Sequence, residues 1–159
     1  MSDKQIKKRN GVFLVIVDST DEFNTAIDFA SDFANAEGGY VALLNVIDDT
    51  PVSGWSDIES RVRKEARALA EKRIWNAAGR VVDNTGTIPM VSIEEGGERS
   101  DFILKTIESN KNIVALVLAS AAGSSNPGPL VTYFSGKGLS KLPVPLMVVP
   151  GHLQTSDNG

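Results

Sequence analysis

IVALVLASAAGSSNPGPLVTYFSGKGLSKLPVPLMVVP, residues 113–150, decides the fold, because it holds two apolar strands joined by a Gly/Ser turn and a weak helix. Residues 113–118 are a nearly unbroken run of β-branched residues and leucine, the pattern of a strand buried on both faces. The run ends in a loop of small residues, 119–128. A strand that passes through such a loop into a helix places backbone N–H groups where an anion can sit, and Gly128 with Pro129 suits the cap and first turn of that helix. Pro143, Pro145 and Pro150 then fence a last apolar strand. Proline cannot donate to a ladder, so this strand belongs at the edge of a sheet.

Upstream, apolar strands alternate with helical patterns. Residues 12–17 form the first strand, which stops at Asp18; Ser19 and Glu22 then have capping-box spacing, and Phe23, Ala26, Ile27, Ala30, Phe33 and Ala34 make one apolar helix face. Gly38 and Gly39 close that helix. Residues 40–47 are the second strand, followed by Asp48, Asp49 and a loop over 50–55. Ser56 and Glu59 repeat the capping-box spacing and open the longest helix, carried by Ile58, Val62, Ala66, Leu69, Ile74, Ala77 and Val81. Residues 88–93 are the third strand, closed by Glu94 and Glu95, and Ser100 is placed to cap a helix with Phe102, Ile103 and Ile107 inward.

Strands that are apolar throughout and alternate with helices call for a parallel sheet with both faces covered. Right-handed crossovers make it a single doubly wound, Rossmann-like α/β sheet of five strands in the order 3-2-1-4-5. In that order the chain reverses direction between the first and fourth strands. The ligand crevice then lies where Asp18 meets the 119–128 loop.

The 159 residues suit a polar arm over 1–11, one domain over 12–151 and a polar tail over 152–159. With 16 basic and 20 acidic residues the net charge is −4, which argues against nucleic-acid binding, and Lys4, Lys7, Lys8 and Arg9 read as a solvated arm. The apolar runs are too short to span a bilayer, and MSDKQIKKRNG lacks the apolar core of a signal peptide, so the expectation is a cytoplasmic protein with no membrane partner. Catalysis has little support: there is no cysteine, the only histidine is His152 in the tail, and no Gly-x-Ser-x-Gly elbow occurs. Gly123-Ser124-Ser125-Asn126 lacks the lysine of a P-loop. Asp18, Asp48, Asp49, Glu94 and Glu95 rim the carboxyl side of the sheet, where all but Asp18 read as complements to helix dipoles, and no metal site is expected.

Several motifs together resemble the universal stress protein family over about residues 12–151. They are Val17-Asp18, Leu43-Leu44-Asn45-Val46-Ile47-Asp48, Leu116-Val117-Leu118, Pro127-Gly128-Pro129-Leu130-Val131 and Leu142-Pro143-Val144-Pro145 before Val148-Val149-Pro150. The last pieces look like those of a bacterial subgroup. The resemblance implies the fold of the adenine nucleotide alpha hydrolases and a homodimer, here through Val144, Leu146 and Val148. It also implies a role in stress adaptation through a ligand or a protein partner, without catalysis.

ATP-binding members carry a glycine-x2-glycine-x9-glycine-serine signature whose places fall on Ala119, Ala122, Thr132 and Tyr133, none of which keeps it. Gly123 and Gly128 stand nearby, while Tyr133 puts bulk at the serine's place. Asp18 matches the family's aspartate near the nucleotide, Val46 a residue beside the adenine, and Asn45 stands where many members have histidine. The implied site is Asp18, Val46, Ala119, Gly123, Ser124, Ser125, Asn126 and Gly128. Its expected ligand is ATP or AMP, with ATP held at best weakly and no cofactor required.

Overall fold

The elements run β1 (Val12–Ile16), α1 (Phe23–Glu37), β2 (Tyr40–Ile47), α2 (Ser56–Thr85), β3 (Met90–Glu95), α3 (Arg99–Ser109), β4 (Ile113–Ser120), α4 (Pro129–Ser135) and β5 (Leu146–Pro150). The computed structural model describes residues 10–47, 56–121, 123 and 125–153. Asp48, Asp49, Ala122, Ser124, the 50–55 loop and the chain ends lie outside the described residues. All strand pairs are parallel and their order is β3-β2-β1-β4-β5, as the crossover argument requires.

Alternate residues of each strand face opposite layers, which makes two cores. Phe13, Val15, Val17, Leu43 and Val117 meet Ala26, Ile27 and Ala30 of α1 and Ile74, Ala77 and Val81 of α2. Leu14, Ile16, Leu44, Leu116 and Leu118 meet Ile103 and Ile107 of α3 and Val131 and Phe134 of α4. Between α1 and α2, the buried Asp28 carboxylate accepts from Arg80 Nε at 2.7 Å and from Asn84 Nδ2 at 2.9 Å. The hydrogen bond to Asp28 raises the Arg80 pKa above its ordinary value, against the opposing effect of burial. Among the described residues, no helix is long and apolar enough to cross a membrane.

Four local expectations are corrected. Ser19 caps no helix: α1 starts at Phe23 without a side-chain cap, and Asp18 organises the turn by accepting from Thr20 N–H at 2.8 Å and Thr20 Oγ1 at 2.6 Å. Ser100 lies inside α3, whose N-cap position is held by Glu98. Ile58 and Leu69 are 52% and 59% exposed, while the expected Ile74, Ala77 and Val81 make the contact, joined by Ala70 and Ala78. For Ile58 the reason is length, since α2 has 30 residues and β2 has eight, roughly 45 Å of helix against 27 Å of strand. Leu69 is exposed by helix phase, because its neighbour Ala70, 2% exposed, is the residue turned to the sheet. Val144 precedes β5 and packs inward on the α3 and α4 core, so it does not belong to the exposed edge.

Candidate functional site at the switch point

β1 and β4 lie side by side but feed helices on opposite faces, which leaves a crevice beyond their carboxyl ends. Asp18 stands there. Thr20 engages its Oδ1, and no described residue bonds its Oδ2. Cavities on both sides border this aspartate. One, of about 90 Å³, lies on the α3 and α4 face against Ile16, Leu118, Ala119, Gly128 and Leu130. The other, of about 230 Å³, lies against Asn45, Val46, Ala66, Ala70 and Arg73, between β2 and α2.

Of the residues singled out in the sequence, Asp18, Val46, Ala119 and Gly128 border these cavities. Gly123, Ser125 and Asn126 line neither, and Ser124 lies outside the described residues. Near them, Ala121 N–H donates to Pro127 O at 3.1 Å, and Gly128 N–H donates to Asn126 Oδ1 at 3.0 Å. Gly128 has a φ of 106°, a backbone shape that side chains other than glycine rarely tolerate. The helix it precedes is only seven residues long and begins with Pro129, which has no N–H to offer an anion.

Tyr133 does not border the Asp18 cavities. Its ring packs edge-to-face on Phe134 at a centroid distance of 5.0 Å and borders a neighbouring groove with Gly97 and Leu130. The bulk expected at the phosphate position is therefore directed elsewhere.

Sequence reasoning missed Arg99, which opens α3 and lines both cavities. It looked for a cation only inside the 119–128 loop, whereas this one arrives from the β3–α3 connection at the same rim. The available signal was an arginine at the start of a helix just after a strand. Arg73 and Asn45 complete the β2 and α2 side. The Nδ2 atom of Asn45 is buried and meets no hydrogen-bond partner.

No curated protein matches the chain. The chain resembles the solved UspA of Lactobacillus plantarum with 20% identity over 89% of this chain and 98% of that one, at a TM-score of 0.73. A universal stress protein of Archaeoglobus fulgidus in complex with dAMP is similar at 14% identity, 87% and 95% coverage and a TM-score of 0.62. Another universal stress protein, in complex with cAMP, gives 15%, 87%, 96% and 0.64. At these identities the structures speak for the fold alone. The family model of the universal stress proteins matches residues 10–150, nearly the whole described chain, and the protein therefore belongs to the universal stress protein family.

Proposed function

We propose that the chain is a binding protein without catalysis of its own, which holds an adenine nucleotide bearing one phosphate at the Asp18 crevice and works as a homodimer in stress adaptation. The observation that carries this reading is the meeting of Asp18, Val46, Ala119 and Gly128 around cavities that share Asp18, with Arg99 beside them. Relatives of the same fold in complex with dAMP and cAMP support a ligand of this class. A triphosphate fits less well, because the proline-started α4 offers few donors and Thr132 and Tyr133 replace the signature residues.

Titration calorimetry is expected to show AMP binding more tightly than ATP. Asp18→Ala should weaken AMP about ten-fold, the effect of losing one charge-assisted hydrogen bond. Sub-micromolar ATP affinity, or AMP binding indifferent to Asp18→Ala, refutes this reading.

The dimer would form along β5, which ends the sheet and, among the described residues, has no strand on its outer edge, where Val148 is 38% exposed beside backbone groups without a sheet partner. Antiparallel pairing with its own copy satisfies those groups and closes after two subunits. Val148→Lys is expected to convert dimers to monomers in light scattering. An unmodified chain that is monomeric at micromolar concentration overturns the assignment.

A further inference from the structure

Asn45 is 3% exposed, and its side-chain Nδ2 has no hydrogen-bond partner. An unmet amide donor inside a protein is destabilising, and this one interrupts the otherwise apolar strand YVALLNVI. Asn45 follows Val41 and Leu43 on the period of two, and both of those residues belong to the α1 and α2 core. Its side chain therefore points to the α2 layer, where it borders the 230 Å³ cavity with Ala66, Ala70 and Arg73. The small alanines leave that space open. The asparagine amide is held at a soft sp³–sp² torsion, so a small rotation turns its N–H toward an oxygen seated there.

Arg73 supplies a second observation. Arg63, Arg67 and Arg80 of the same helix each hold a carboxylate, whereas among the described residues none pairs with the half-buried Arg73. Arg73 lines this cavity together with Asn45, so a guanidinium and an amide face the same space. Asp18 stands at the shared rim with one oxygen already engaged by Thr20.

We propose that the cavity between β2 and α2 is an oxyanion site, in which Asn45 Nδ2 and the Arg73 guanidinium hold the oxygens of a phosphate or carboxylate group. It borders Asp18 and Val46 of the nucleotide reading, but its two donors, Asn45 and Arg73, stand on the α2 side and take no part in that reading. Guanidinium and amide donors together match the several acceptor lone pairs of such a group.

The test follows the Asn45 side-chain amide of the full chain by NMR, assigned with Asn45→Leu. The chain is titrated with inorganic phosphate and separately with acetate, against chloride at equal ionic strength. The expected result is a saturable shift of both amide protons with at least one anion. Arg73→Gln should weaken that binding about ten-fold. Asn45→Leu should raise the melting temperature in chloride and abolish any further rise on adding the anion. The tighter of the two anions names the group. Amide resonances that neither anion moves, or an affinity unchanged by Arg73→Gln, overturn the proposal; if Asn45→Leu does not fold, Arg73→Gln alone decides. Phosphate binding in a chain that ignores AMP leaves this site standing and removes the nucleotide reading. AMP binding with an unmoved amide in every titration does the reverse.

Discussion

Phe134→Ala is expected to lower the unfolding free energy by about 3–5 kcal/mol, the range for truncating a fully buried aromatic residue. Phe134 is 0% exposed and heads the fully buried side chains by volume. Its helix, α4, has only seven residues and buries only Val131 and Phe134, too short a helix to persist on its own hydrogen bonds. Removing the ring therefore leaves a cavity over β4 and also loosens the helix beside Gly128. Urea unfolding should show a lower midpoint with an unchanged slope. A loss under about 1 kcal/mol means that the site collapses around the alanine, which contradicts the packing described.

Gly39→Ala is expected to cost about 1–3 kcal/mol, at the upper end of that range, through overpacking against backbone. A Cβ on Gly39 would stand 2.2 Å from the carbonyl oxygen of Gly11. That oxygen accepts from Tyr40 N–H at 2.9 Å, beside the Val12 and Tyr40 pair that begins the β1–β2 register. No rotamer can relieve the clash, because the backbone fixes the Cβ and the atom it meets is itself a backbone oxygen. Gly38 is the control: it has a φ of 68°, with nothing within 4 Å of an added Cβ. Gly38→Ala should therefore cost only the left-handed strain of about 1–2 kcal/mol and leave the strand pairing unchanged. Amide exchange separates the two, since only Gly39→Ala should expose Tyr40 N–H. Equal protection of Tyr40 in both variants would show that the close approach is not the cause.

The sheet order could be read from the chain because its strands are apolar throughout and alternate with helices, which leaves few right-handed topologies. Asp18 and Gly128 followed from that order alone. Arg99, Arg73 and Asn45 did not, because they come from the β2–α2 and β3–α3 units, away from the switch-point strands, and have ordinary neighbours in sequence. A lone asparagine in a strand gives no sign that its donor is unmet until the opposing helix is in place. Helical spacing likewise marks Leu69 as apolar but does not show that its neighbour Ala70 is the residue turned to the sheet. Counting along α4 gives the position of Tyr133 and not the direction of its ring.

The overhang of α2 divides one helix into two regimes of local stability. Its later turns, around Ile74, Ala77 and Val81, are clamped by the core and by the Arg80 fork on Asp28, so they open only when the domain does. Its first turns carry exposed Ile58 and the solvent-facing pair of Arg63 with Glu59, so they unwind at lower cost. Ala66 and Leu69, on the outer wall of the Asn45 cavity, fall near the boundary between these regimes. Fraying of that end would widen the mouth of the cavity, which already meets solvent, while every strand stays paired.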